Sequence, residues 1–149
     1  MSSPQRTQRN AEKNLDDISG DIVDAAMKVH TVLGPGLLES TYETCLKHEL
    51  IQRGYKVETQ VTLPIRYGDI ILDAGYRIDM LVEDNVVLEL KSVENVLPIH
   101  EAQLLSYLRL SNNQVGILIN FNVIHLKDGI RRMVNNYRPP RSSASSAVK

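Results

Sequence analysis

Cysteine is almost absent from this sequence of 149 residues, since Cys45 is the only one. A lone cysteine excludes an internal disulfide and a cysteine-based zinc site, and we expect Cys45 to pack on a helix in the core. The four histidines are scattered along the chain, at His30, His48, His100 and His125. A zinc enzyme or a thiol enzyme is therefore a poor interpretation.

Long apolar runs are missing too. No stretch has the length needed to cross a membrane, and the first residues, MSSPQRTQRN, are polar and unlike a signal peptide. A cytoplasmic location is therefore predicted. The apolar share of 42% and the charged share of 23% are ordinary for a globular protein, and the length suits one domain with a substantial core.

An excess of charge of either sign is missing from the chain as a whole, because the net charge is −1. A value so close to zero does not point to a nucleic-acid binder. The distribution is uneven, because the segment from Lys127 onward contains a single acid, Asp128, and six basic residues: Lys127, Arg131, Arg132, Arg138, Arg141 and Lys149. These residues could hold phosphates, but a solvated tail is the favoured interpretation.

Periodicity and turn residues divide the chain into a series of elements. Residues 1–14 and 138–149 lack periodicity and are predicted to be disordered tails on either side of a domain at 15–137. Helices are predicted at 16–33, 38–52 and 98–110, strands at 55–66, 70–73, 77–82, 86–91 and 115–121, and a last short strand or helix at 130–134. The run at 115–121 is apolar throughout, which is typical of a strand buried on both faces.

The stretch 76–91, YRIDMLVEDNVVLELK, is predicted to form a hairpin around which the domain is organised. Both arms alternate at period two, which indicates strands with one face on a core, and the polar turn at 83–85 includes an Asn that can adopt the left-handed conformation. A loop of three residues sets the register, because a slip of one residue would turn one apolar set to the wrong side. The predicted pairs are Val82 with Val86, Met80 with Leu88, Ile78 with Leu90, Arg77 with Lys91, Asp79 with Glu89 and Leu81 with Val87.

This register places two carboxylates, those of Asp79 and Glu89, opposite each other with Cβ atoms about 5 Å apart. Opposed like charges are destabilising, so we expect at least one of these acids to have a raised pKa when no metal is bound. A divalent cation with hard oxygen ligands would offset the repulsion. The alternative is a solvated charge lattice in which Arg77 and Lys91 neutralise the acids, and the residues alone do not decide between the two.

Two more groups of polar residues lie on predicted helices. Glu39 and Glu43 are one turn apart; the helix dipole is a sufficient reason for an acid at Glu39, and Glu43 is predicted to be solvated. His100, Gln103 and Tyr107 are neighbours on the helix that follows the hairpin. They could orient a phosphate, a water or a metal ligand, but the solvent-facing side of an amphipathic helix is the favoured interpretation.

The order of elements and several motifs resemble the PD-(D/E)XK nuclease superfamily, whose core is α-β-β-β-α-β. Asp79 stands on the second strand, an ExK motif at 89–91 on the third, and a QxxxY motif at 103–107 on the following helix. More narrowly, the chain looks like the GxxExxY family, because residues 36–42 read GLLESTY. The matching blocks, which extend over roughly residues 17–134, are VHTVLGPGLLESTYE, GYRIDMLVEDNVVLELK, PIHEAQLLSYL and INFNVIHLKDGI.

The resemblance implies a restriction-endonuclease-like fold of the α/β (α+β) class, with a central mixed sheet flanked by helices. It also implies a nuclease that hydrolyses phosphodiester bonds, with Mg²⁺ or Mn²⁺ as cofactor and DNA, or less favourably RNA, as partner. A homodimer is expected by analogy with small relatives. The alternative is a binding or regulatory module that keeps the nuclease fold without turnover, which the near-neutral charge and the lack of a recognisable DNA-binding domain favour.

Roles for individual residues are implied as well. Metal ligands would be the carboxylates of Asp79, Glu89 and Glu39, with the main-chain carbonyl of Leu90 as a further ligand. Lys91 would complete the catalytic group by positioning or activating water and by stabilising charge in the transition state. The accessory residues would be Gln103, Tyr107 and His100. One position departs from the superfamily's name, because Ile78 precedes Asp79 where the name has proline.

Overall fold

A computed structural model describes residues 14–136. The predicted tails lie outside the described residues except for Asn14, whose side chain accepts the Asp17 N–H (2.9 Å) and caps the first helix. The helices are α1 (Leu15–Leu33), α2 (Glu39–Gln52) and α3 (Pro98–Ser111), with a 3-10 helix at Leu126–Gly129. The strands are β1 (Val57–Thr62), β2 (Ile65–Tyr67), β3 (Ile70–Leu72), β4 (Arg77–Val82), β5 (Val86–Lys91), β6 (Val115–Asn120) and β7 (Ile130–Val134).

Five strands form one mixed sheet in the order β1-β4-β5-β6-β7. Neighbours are antiparallel except for the parallel pair β5–β6, which needs a crossover connection, and α3 lies in that connection. The apolar side chains of α1 and α2 pack on one face of the sheet and those of α3 on the other. The predicted mixed sheet flanked by helices is confirmed. No helix among residues 14–136 is long and apolar enough to span a membrane.

The β4–β5 hairpin has the predicted register near its turn. Met80 pairs with Leu88, and the next two pairs towards the turn are also as predicted. The left-handed conformation falls on Glu83 and Asp84, with φ of 54° and 56°, and not on Asn85. The ladder stops at Met80, so three predicted pairs are wrong as ladder pairs: Asp79 with Glu89, Ile78 with Leu90 and Arg77 with Lys91.

β5 is buried on both faces, whereas its alternation predicted a core on one face. Leu88 and Leu90 pack with α1 and α2, and Val87 packs with α3. Because β5 has a strand on each side and helices over both faces, its charged residue Glu89 is only 4% exposed. The Glu89 carboxyl group on this central strand is therefore buried.

β4 changes the face that it presents to the helices at Asp79. Met80 packs with the α1–α2 group and Ile78 with the α3 group, although residues two apart on a regular strand share a face. On the neighbouring strand, the β1–β4 register omits Gln60, whose φ is 53°. A positive φ at a residue other than glycine marks a local distortion. Asp79 thus lies where the regular alternation of β4 breaks down.

The predicted strand at 55–66 is interrupted. β1 ends at Thr62, and after Pro64 the chain forms a separate two-stranded sheet of β2 and β3, which a turn at Gly68 connects. Proline has no N–H to donate to a ladder, which accounts for the break. Gly75 has a φ of 85° with nothing within 4 Å of an added Cβ, so the backbone conformation is what favours glycine there.

The described part of the basic C-terminal segment is not a tail. Arg131 and Arg132 lie on β7, where Arg131 pairs with Glu101 of α3 (3.1 Å) and Arg132 with Asp16 of α1 (2.8 Å). Arg138, Arg141 and Lys149 lie outside the described residues. The arginines of β7 therefore tie the edge of the sheet to helices on both of its faces. Cys45 packs against the α1–α2 core, as predicted.

Candidate active site

The side chains of Asp79 and Glu89 fill the opening that is left where the β4–β5 ladder stops. The main-chain N–H of Asp79 donates to Glu89 Oε2 (3.0 Å), and the N–H of Leu90 donates to Asp79 Oδ2 (2.9 Å). Each carboxylate therefore replaces a ladder hydrogen bond and is fixed by the opposite strand. The two acids are neighbours on adjacent antiparallel strands, as predicted, and each one bonds the main chain of the opposite strand.

Burial and charge make this pair unfavourable by itself. Burial, and next the negative charge of Asp79, raise the pKa of Glu89 to about 8. The hydrogen bond from the Asp79 N–H and the positive charge of Lys91 oppose this rise in the Glu89 pKa without cancelling it. The expected raised pKa is found on Glu89. At neutral pH the metal-free site therefore holds a proton that a cation would displace.

Lys91 lies two residues beyond Glu89, on the same side of β5 by strand alternation, and is half-buried. Its carbonyl accepts the N–H of Phe121 (2.9 Å), and β6 places Asn120 opposite it. The Asn120 side chain is 2% exposed and exchanges two hydrogen bonds with the main chain of Val93 (3.0 and 2.9 Å). Asn120 thereby fixes the chain as it leaves Lys91.

Glu39 reaches the same end of β5 from the start of α2. Glu39 Oε2 accepts the N–H of Ser92 (3.3 Å), and the hydroxyl of Ser92 donates to the carbonyl of Leu37 (2.6 Å). The Glu39 residue is exposed. These contacts attach the first turn of α2 and the loop before it to the residue that follows Lys91, so the predicted approach of Glu39 from a helix is present.

Tyr42 holds the loop that precedes Glu39. Its hydroxyl donates to the carbonyl of Gly34 (2.5 Å) and accepts the N–H of Leu37 (3.1 Å). Its ring is fully buried and stacks on Phe121, with centroids 4.3 Å apart and planes at 5°. The spacing of Gly, Glu and Tyr at 36–42 therefore has a structural explanation: a turn, an acid at the helix start and a tyrosine that anchors both to the core.

Glu43 belongs to the acidic group, and the prediction that it is solvated is wrong. It is half-buried, and its Oε1 accepts a hydrogen bond from Gln60 (3.0 Å) at the distorted position of β1. Burial raises the pKa of Glu43, and the charges of Asp79 and Glu39 raise it further, against the Gln60 bond and Lys47. The sequence feature that could have predicted the place of Glu43 in the acidic group is its spacing of one helical turn from Glu39.

The three polar residues of α3 border the site. Tyr107 is only 6% exposed, and its pKa is raised by burial and next by the charges of Glu89 and Asp79. His100 and Gln103 are half-buried and, with Tyr107 and Lys91, line one cavity of about 580 Å³. The interpretation of this stripe as the solvent-facing side of the helix is therefore wrong.

The donor set fits a hard divalent cation. Asp79 and Glu89 each use one carboxylate oxygen on the main chain, and among residues 14–136 their other oxygens, Oδ1 and Oε1, accept no main-chain hydrogen bond. Within the same range, no three His, Cys, Asp or Glu side chains converge on one point as a complete ligand cage. Two neighbouring carboxylates with open positions beside them suit a hard divalent cation that keeps bound waters and also binds a substrate phosphate.

Fold and site together define a restriction-endonuclease-like domain, in which an acid on β4 and an ExK motif on β5 meet at the open end of a helix-flanked mixed sheet. A family model described as the PD-(D/E)XK nuclease superfamily matches residues 16–133. The chain belongs to this superfamily, whose members generally use divalent metals. No curated protein and no solved structure matches the chain. The narrower assignment to the GxxExxY family stays a prediction.

Proposed function

We propose that this protein is a divalent-metal-dependent nuclease that hydrolyses phosphodiester bonds at the site formed by Asp79, Glu89 and Lys91. The observation that carries the proposal is the buried Glu89 carboxyl group, which is fixed beside Asp79 and has a pKa raised to about 8. Removing the two acids from water costs free energy, which a bound cation would offset. Membership of the nuclease superfamily supports the reaction class.

Asp79 and Glu89 would hold the divalent ion, for which Mg²⁺ or Mn²⁺ is proposed. Glu39 is the nearest further acid at the end of β5, and the Leu90 carbonyl stays a predicted ligand. When bound, such an ion stabilises negative charge on a phosphate oxygen and lowers the pKa of a bound water. The protein contributes rigidity, because both carboxylates are tied to the main chain of the opposite strand.

Lys91 would bind the scissile phosphate and stabilise the charge that develops on it. Its charge acts on the same carboxyl group that holds the metal, as the effect of Lys91 on the Glu89 pKa indicates. An ammonium group fixed before the reaction needs no reorganisation as charge develops, which is how such groups accelerate phosphoryl chemistry. The main-chain bond to Phe121 and the clamp from Asn120 keep this end of β5 in place.

The remaining acids make binding of the substrate depend on the cation. Glu39 and Glu43 add negative charge near Asp79, as the pKa of Glu43 shows. Without a divalent ion this group repels a phosphate, and with one the local charge favours it. We further propose DNA, in preference to RNA, as the substrate, and a cytoplasmic location. We also propose a homodimer, which a measurement of mass in solution would test.

The test is cleavage of labelled DNA and RNA, each single-stranded and double-stranded, by the purified protein with Mg²⁺, with Mn²⁺ and with excess EDTA. We expect a phosphodiesterase activity that appears with either metal and disappears with EDTA. Cleavage that persists in EDTA would contradict the metal-dependent proposal. Metal-dependent stabilisation of the fold without cleavage of any substrate would favour the non-catalytic module instead.

A further inference from the structure

The cavity beside the acidic pair has the lining of a site for a flat aromatic group. Its volume is about 580 Å³, within the range for sites of small organic ligands. The walls come from β2, the residue before β4, the end of β5 and α3, and they are largely apolar or aromatic with a few polar groups between them: Ile65, Tyr76, Lys91, Ile99, His100, Gln103, Ser106, Tyr107 and Leu110. The lining includes one lysine and no acid, so it suits a neutral ring beside a phosphate better than a cation.

Tyr76 offers an aromatic surface on which such a ring can stack. It is 42% exposed and meets Tyr107 edge-on, with centroids 6.2 Å apart and planes at 68°. The edge contact holds the Tyr76 ring against a buried partner. Ile99, which is 66% exposed on α3, adds an apolar surface that the fold does not bury. Proteins that bind single-stranded nucleic acid stack unpaired bases on aromatic side chains.

The polar groups of the cavity can bind the edge of a base. The His100 ring accepts the N–H of Leu97 at Nδ1 (3.0 Å), so in its neutral form it carries its proton on Nε2. Among residues 14–136, the side chains of Gln103 and Ser106 have no hydrogen bond within the protein. An amide, a hydroxyl and an imidazole N–H provide donors and acceptors for an exocyclic group and a ring nitrogen.

We infer that this cavity binds an unpaired nucleobase next to the scissile phosphate, so that the enzyme acts on single strands, overhangs or flaps and not within a continuous duplex. Lys91 lines the cavity and its charge acts on Glu89, so a base in the cavity would adjoin a phosphate bound at the acidic site. A base that occupies the cavity has left its helical stack, and only unpaired substrates supply one without the cost of unstacking. The inference rests on the proposed function, which places the scissile phosphate at the acidic site.

The experiment measures binding and cleavage separately. Fluorescence anisotropy measures binding, with Ca²⁺ in place of Mg²⁺, of fluorescein-labelled oligothymidylate, oligouridylate and the matching duplexes. Cleavage of the same substrates is then measured with Mg²⁺. We expect Tyr76→Ala to raise the Kd for single strands by about 5- to 100-fold, and Tyr76→Phe, which keeps the ring, to stay near wild type. Ile99→Ala should also weaken single-strand binding, whereas Ile51→Ala, an exposed isoleucine on α2 outside the cavity, should not.

Replacement of one nucleotide by an abasic residue should weaken binding to the wild type and have no further effect on Tyr76→Ala. Equal binding and cleavage of single strands and duplexes by the wild type, or unchanged binding by Tyr76→Ala, would overturn the inference and leave a metal-dependent nuclease intact. Single-strand binding that depends on Tyr76, without cleavage in Mg²⁺, would support the base site and contradict the proposed function. The comparison of oligothymidylate with oligouridylate decides between DNA and RNA as the source of the base.

Discussion

Replacing Asp79 by Asn is expected to lower the rate of Mg²⁺-dependent cleavage by about 10³-fold or more, because it removes a charged ligand and half of the negative charge that holds the cation. The fold should tolerate the change. An amide oxygen can still accept the Leu90 N–H, which Asp79 Oδ2 accepts at 2.9 Å. The measurement is the single-turnover cleavage rate at saturating protein, together with the thermal midpoint without metal.

A matched control for this variant lies on the same hairpin. Asp84→Asn removes a carboxylate at the turn, where Asp84 pairs with Lys56 (2.9 Å) and is exposed. A solvent-exposed pair of this kind contributes little to stability, so Asp84→Asn should fold and cleave like the wild type. Retention of activity within tenfold by a folded Asp79→Asn protein would contradict the assignment of Asp79 as a metal ligand.

Replacing Glu89 by Gln is expected to stabilise the metal-free protein at pH 8 by about 3–5 kcal/mol relative to the wild type. The pKa of Glu89 is raised from 4.5 to about 8 in the folded protein, so folding favours the protonated acid. The protonated Glu89 therefore favours the folded state, and this stabilisation is fully present below about pH 4.5 and is lost as the pH rises to about 8. Gln keeps an acceptor for the Asp79 N–H and carries no charge, so the variant should lack this loss.

Urea unfolding of both proteins in EDTA from pH 4 to pH 9 would test this prediction, with Glu58→Gln, an exposed acid on β1, as control. The difference between wild type and Glu89→Gln should grow with pH over the window that the raised pKa defines, and the control should show no such trend. Mg²⁺ should stabilise the wild type by mass action and Glu89→Gln far less. A Glu89→Gln protein that is clearly less stable at pH 8 without metal would show that Lys91 holds Glu89 as a structural ion pair.

The sequence predicted the acidic pair because two local rules applied near the turn. Period-two alternation and a loop of three residues were enough to bring Asp79 and Glu89 together on neighbouring strands. The details of their contact were not predicted, because the distortion at Gln60 depends on the pairing of β1 with β4 and leaves no trace in the alternation of β4 itself. The alternation of β4 and β5 thus predicted that the two acids are neighbours. The hydrogen bonds of their carboxylate oxygens depend on the pairing of β4 with β1, which the alternation does not report.

Burial of the site depends on contacts that the alternation does not report. Glu89 was expected on a half-solvated face, but the crossover helix α3 covers that face because β5 and β6 run parallel. Tyr107 is buried for the same reason. Asn120 was missed, although a polar residue at the end of an otherwise apolar buried strand is a visible signal, since such a group needs hydrogen-bond partners inside the protein.

The central claim, that Asp79 and Glu89 form a divalent-metal site, is tested most directly by calorimetric titration of Mg²⁺ at pH 7 in buffers of different ionisation enthalpy. Because the pKa of Glu89 is about 8 without metal, the pair holds most of a proton at pH 7 that the ion must displace. We expect release of most of a proton per ion bound to the wild type and almost none for Glu89→Gln, which should also bind more weakly. Binding without proton release, or equal release by both proteins, would contradict the claim.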